Sequence, residues 1–230
     1  MTFSSGYLKV PLDRARVANA NWLKQWVDVG PKGFVQQSIA TEFPEMLRTL
    51  EPLVMIGCTR QLLVRCRGDW TAYFDNSARG TDAPDAISYL CRQLACDGIA
   101  IRNKPHTARG RKGIAGSVMF EYFGPRQTHF LNYVRSIAAS HDGNKWLFTL
   151  GGQPQPFEIL DAYKARSVRD RFTGEMLARY CEALGVSPYD ESFYEPEAVL
   201  FEQTAPVSPP NVAVTLAQAR AWLGLRTNIE

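Results

Sequence analysis

Apolar and polar positions along the chain change rhythm several times. The stretch RARVANANWLKQW spaces its apolar residues as a helix does, with Asp13 placed to cap it and VGPKG to end it. FVQQSIATEFPEMLRTL continues in helical spacing, and Pro44 predicts a break near residues 41–43. Up to about Pro52 the chain therefore reads as a helical N-terminal segment. From Leu53 the period shortens. LVMIGC, QLLVRC and DWTAYFDN are short apolar runs divided by residues 59–60 and by Gly68, and they predict a three-strand antiparallel meander.

The helical period returns in TDAPDAISYLCRQLACDG. Thr81 or Asp82 caps it, Pro84 and Asp85 sit in its first turn, and Gly98 closes it. Ile87, Leu90, Cys91 and Leu94 share one face. IAIRN, AGSVMFEYFG, HFLNYVRSIAAS and KWLFTLGG predict further strands, with turns at Gly124 and Pro125 and at His141, Asp142 and Gly143; the third stretch also fits a helix. FTGEMLARYCEALG is a helix capped by Thr173 and ended by Gly185. QTAPVSPPN is a stiff linker, and TLAQARAWLGL a last amphipathic helix whose Trp222 and Leu223 need burial. The order predicts an α+β fold, with a mostly antiparallel sheet, helices packed on one side and a helical N-terminal segment. Expected divisions are 1–52, helical and packed on the main domain; 53–202, the α+β domain; and 203–230, linker and final helix.

Composition narrows the function. The 230 residues suffice for one full domain or two small ones, and 45% hydrophobic content supports a real core. The net charge of +3 is too balanced for a global polyanion partner, so any basic site is local. The opening residues MTFSSGYLKVPLDRARV hold no apolar secretory run, and no stretch is long and apolar enough to suggest a membrane span. With five cysteines, an odd number, this gives the expectation of reduced thiols in a cytoplasm.

Two basic segments stand out. HTARGRKGIAGS is neither a Walker loop nor a dinucleotide fingerprint, because its lysine precedes the second glycine and a strand follows. It reads as a long hairpin connection carrying Arg109, Arg111 and Lys112, open to an acidic protein surface. Nucleic acid fits it less well, since no aromatic lies between His106 and Met119. YKARSVRDRFTGEMLARY gathers Lys164, Arg166, Arg169, Arg171 and Arg179 against Asp170 and Glu175, interleaved with Tyr163, Phe172 and Tyr180. Arginine and tyrosine are enriched at protein interfaces, although a solvated face with local ion pairs has the same look. The candidate partner-binding residues are Arg109, Arg111, Lys112, Tyr163, Arg166, Arg169 and Arg171.

Other chemistry is sparse. Cys58 and Cys66, and Cys91 and Cys96, lack the spacing of a zinc knuckle, and on a helix the second pair points to different faces. His106, His129 and His141 form no metal motif, and no nucleophile elbow is present. No metal, cofactor or catalytic residue is expected. Glu121, a carboxylate within VMFEYF, lies either on an open sheet face or buried beside Arg65, Arg102 or Arg135. A candidate pocket for a small anion is Arg65, Glu121, His129 and Arg135, with His129 placed in a strand.

WTAYFDN with RGTD, NKWLFTLGGQPQPFE and YKARSVRDRFTGEMLARYCEALG, spanning roughly residues 70–185, resemble a group of uncharacterised bacterial proteins. Small α+β proteins of this type resemble the immunity proteins of polymorphic toxin systems. The resemblance implies a cytoplasmic protein that occludes a cognate toxin, and it assigns no residue a role. An enzyme or binding protein for a small anionic substrate is the alternative, and nucleic-acid binding a third.

Overall fold

The computed structural model describes residues 4–25, 33–78, 83–108, 113–204 and 212–225. Its frame is one antiparallel sheet, and the first described residues are its middle. Ser4–Leu8 (β1) has all five residues buried and pairs on both sides. Leu12–Gln25 (α1) follows, with Asp13 in its first turn rather than at its cap. Phe34–Ile39 (β2) is a strand, then comes a 3-10 helix at Glu45–Leu50. The expected helical N-terminal segment is thus corrected: residues up to Pro52 supply the central strand and an edge strand. A five-residue buried strand containing Gly6 shows no alternation, and FVQQSI is too short for its period to decide.

Leu53–Val54 (β3) leaves the expected meander, while Arg60–Cys66 (β4) and Thr71–Asp75 (β5) form its remaining hairpin. Asn76 accounts for the detour. Its side chain accepts from the Thr59 and Arg60 N–H groups and donates to the Pro52 carbonyl and the Thr59 hydroxyl, holding the intervening loop. Ala83–Leu94 (α2) ends in Ala95 at φ 52°, not at Gly98, which opens the next strand. In that turn the Cys96 N–H donates to the Cys91 carbonyl at 3.1 Å.

Gly98–Lys104 (β6), Ser117–Phe123 (β7), Tyr133–His141 (β8) and Trp146–Gly152 (β9) run as the alternation predicts. Gly174–Ala183 (α3) is capped by Thr173, whose hydroxyl accepts from the Met176 N–H, and Gly185 at φ 86° ends it. Tyr194–Gln203 (β10), Ala213–Val214 (β11) and Leu216–Trp222 (α4) complete the chain. The order across the nine-stranded sheet is β2-β10-β4-β5-β1-β6-β7-β8-β9, and β3 pairs with β11 beside it.

Helices cover both faces, not one. On the first, α1 and α2 pack against Leu63, Tyr73, Ala100 and Phe201. Gly6 and Gly98, on neighbouring strands, leave a trench for α2, since a Cβ at either would overlap Ile87 or Cys91. On the second face, Met46 and Leu50 of the 3-10 helix and Met176, Leu177, Tyr180 and Cys181 of α3 cover Leu62, Val64, Ile99, Phe120 and Ile137. An apolar helix stripe announces burial but not the side of the sheet it seeks. The last helix docks on its own chain: Leu223 is buried, its carbonyl accepts from the Thr107 hydroxyl, and Trp222 stays half exposed. Most of the proline-rich linker, residues 205–211, lies outside the described residues.

Candidate functional site

The outer strand β9 carries the most distinctive surface. Its register sets Trp146, Phe148 and Leu150 opposite His141, Ala139 and Ile137. Ile137 and Ala139 belong to the core under α3, so alternation turns Trp146, Phe148 and Leu150 to that side. The 3-10 turn Val168–Arg171 lies over them. The Arg169 guanidinium sits 5.8 Å from the Trp146 ring and that of Arg171 5.9 Å from the Phe148 ring. Two cations two residues apart thus match two aromatics two residues apart. Each contact is worth about 0.5–1 kcal/mol at an exposed site. Arg171 is held further, its Nε donating to the Ala165 carbonyl at 2.9 Å.

None of the ion pairs among the described residues includes Arg166, Arg169 or Arg171. Lys164, in the same segment, has its carboxylate in Asp161 at 2.8 Å. At the end of β9 the rings of His106 and His141 meet at 4.4 Å, and both pack on Trp146 at 5.5 and 5.6 Å. The His106 Nδ1 accepts from the Gly116 N–H and the His141 Nδ1 from the Gly143 N–H, which leaves each Nδ1 without a proton. Burial lowers the His106 pKa, and His141 and Arg169 lower it further.

Only the second basic segment is described in full. Arg109, Arg111 and Lys112 lie outside the described residues. The base of their loop is described: the Thr107 and Ala108 N–H groups donate to the Ile114 carbonyl, directly beyond His106. Arg166 and Arg169 are exposed. Tyr163, expected at the partner surface, is instead structural. Its hydroxyl donates to Glu158 Oε2 at 2.9 Å and accepts from the Tyr180 hydroxyl at 3.0 Å. Burial pushes the Tyr163 hydroxyl pKa up, reinforced by Tyr180 and Glu158.

The candidate pocket does not assemble. Arg135 Nε and Nη2 donate to Glu158 Oε1 and Oε2 at 2.8 and 2.7 Å, and Nη1 to the Gly151 and Gly152 carbonyls. Both side chains are buried, at 3% and 0% exposure, so the pair is internal. Glu121 is buried on the opposite face, accepting from the Tyr133 hydroxyl at 3.3 Å, and burial raises its pKa. Arg65 pairs with Glu197 at 2.6 Å, four strands from Glu121, or roughly 19 Å at ordinary strand spacing. His129 is exposed in the turn before β8, not in a strand. A shallow groove between α1 and α2 holds Trp22 stacked on Tyr89 and gathers no cluster of titratable groups.

Sequence reasoning singled out Arg169 and Arg171 but missed their platform, Trp146 and Phe148, and the histidine pair beside it. The matched two-residue spacing of WLF and RDR was the available signal. Among the described residues, no group of three or more His, Cys, Asp or Glu is placed to hold a metal, and no helix is long and apolar enough to cross a membrane. No protein-family model, curated protein or solved structure matches the chain.

Proposed function

We propose that this chain is a protein-binding protein that covers an acidic surface of its partner with the cation–aromatic edge around β9. One observation carries the reading: Arg169 and Arg171 lie over Trp146 and Phe148 on the outermost strand of the described sheet, and no ion pair among the described residues includes them. Lys164, in the same segment, is by contrast already paired with Asp161. Guanidinium groups already stacked on rings lose less freedom when a carboxylate arrives. Arginine and large aromatics are the residues that dominate binding energy at interfaces. The described residues Thr107 and Ala108, bonded to the Ile114 carbonyl, lie beside His106 at the same end. Occlusion of a toxin, the role implied by the sequence resemblance, is the specific form of this reading, and it needs no converging acid, base and nucleophile.

The alternative, an enzyme or binding protein for a small anionic substrate, needs Arg65, Glu121, His129 and Arg135 in one cavity. They are spread over both faces of the sheet, and two of them are already matched to carboxylates.

The test is a native pull-down from the source cells with wild-type bait and a folded Arg166→Glu/Arg169→Glu bait, after nuclease treatment. A single stoichiometric protein held by the wild type and lost by the variant supports the reading. Titrating the bait into that partner's activity assay then tests neutralisation. Equal retention by both baits, or none by either, refutes it. Retention abolished by nuclease reassigns the surface to nucleic acid.

A further inference from the structure

We propose that β9 is a pairing edge, and that the partner supplies an extended acidic segment which adds to the sheet as a tenth strand. The inference rests on the protein-binding reading above and names the chemistry of what is bound. β9 ends the nine-stranded sheet, so its outer backbone groups have no strand beside them among the described residues. Sheet edges are ordinarily protected by a lysine, a proline, a bulge or a very short strand. WLFTLGG has none of these: seven residues, no charge, no proline, and an unbroken register with β8 from His141↔Trp146 to Arg135↔Gly152. The far end of the strand is fixed, because Arg135 holds the Gly151 and Gly152 carbonyls while clamped by Glu158. An incoming strand therefore meets a rigid edge.

The side chains say which strand fits. On the α3 side, an added residue lies next to Trp146 and Phe148, within reach of the unpaired Arg169 and of Arg171. On the other side it meets Leu147, 38% exposed, and Thr149. Carboxylates alternating with apolar residues satisfy both faces at once, since successive side chains of a strand point to opposite sides. Backbone hydrogen bonds supply the affinity of such an addition, and alternate side chains its specificity. A second copy of the chain is a poorer occupant. Two-fold pairing of β9 with β9 keeps both Val168–Arg171 turns on one face of the joined sheet and sets their unpaired arginines toward each other.

The experiment is amide hydrogen exchange on the full chain, with a capped nine-residue peptide of alternating glutamate and valine as probe. Controls are the lysine–valine counterpart, the glutamate–valine peptide N-methylated at alternate residues, and oligo-deoxythymidine. The expected result is exchange slowed about tenfold or more within β9 by the acidic peptide alone. N-methylation, which removes one edge of hydrogen bonding, and Arg169→Glu should each weaken binding by about tenfold or more. Unchanged exchange in β9, or equal binding of the lysine or N-methylated peptide, overturns strand addition. So does protection by the oligonucleotide, or protection that follows protein concentration without peptide. The pull-down separates the two ideas: charge-dependent retention with no protection of β9 leaves the protein-binding reading standing and removes this one.

Discussion

Arg135 and Glu158 face each other inside the protein with two hydrogen bonds, 2.8 and 2.7 Å long, and neither charge reaches solvent. Glu158 Oε1 also accepts from the Gln155 N–H and Oε2 from Tyr163, so every acceptor has a partner. This pair shapes the loop after β9. Removing one member leaves the other buried and uncompensated. Glu158→Gln or Arg135→Met should lower stability by about 3–5 kcal/mol in urea unfolding, and the double change by less than the sum. Single losses under about 1 kcal/mol would show that the pair is not closed to water.

Gly98→Ala tests the trench under α2. The new Cβ would press on Cys91, Ile87 and the Tyr7 carbonyl, and strand and helix backbones cannot both yield. A loss of about 1–3 kcal/mol is expected, read as a lower thermal midpoint. An unchanged midpoint would mean that α2 shifts freely.

The histidine pair predicts a pH dependence. The folded-state pKa of His106 is lowered, so the unfolded chain binds more protons in that range. Its stabilising contribution is complete above the unfolded value of about 6.5 and is lost as pH falls through the lowered folded value. Glu121 has the opposite sign. Its raised pKa gives stability that is present below the unfolded carboxyl value and is lost as pH rises through the folded one. Because Glu121 opposes it, the His106 effect is read as a difference: between pH 8 and pH 5 the wild-type denaturant midpoint should fall relative to that of His106→Gln below about 6.5. A difference between the two that does not change with pH removes the prediction.

How much of this was legible in the sequence differs between neighbouring elements. Thr173 and Gly185 mark α3 correctly because caps are local chemistry. Short apolar runs between turns located β6, β7 and β9 for a similar reason, while the stretch of β8 fitted a helix as well. β1 was invisible because its pairing to β5 and β6 lies far along the chain and SSGYL has no period of its own. At the site, the cations of Val168–Arg171 were visible as a polarised run. Their platform on β9 was not, because which strand a turn crosses is decided by tertiary packing. Arg135 was read as lining a small-anion pocket or pairing with Glu121, and nothing local joined it to Glu158.

Thiol chemistry offers a fourth check. Cys66, Cys91, Cys96 and Cys181 are buried, while Cys58 is partly exposed. Burial pushes the Cys66 pKa up to about 12 and raises that of Cys181 as well. A chromogenic disulfide at pH 8 should react rapidly with Cys58 and slowly with the others, and with all five cysteines after denaturation. Two or more rapid thiols in the native protein would contradict the described core.

The placement of β1 and β10 also sets a timetable for synthesis. β1 must wait for Tyr73 before one of its sides is paired and for Ala100 before the other is. β10 comes later still, yet it lies between β2 and β4 and is the one strand beside β2 among the described residues. A nascent chain that has not reached Tyr194 therefore carries an orphaned β2 and a bare flank on β4. Closing such distant pairs is slow, so the sheet is completed from its most separated segments only after β10 has been made. For that interval the half-made protein exposes the apolar strands that the finished one hides.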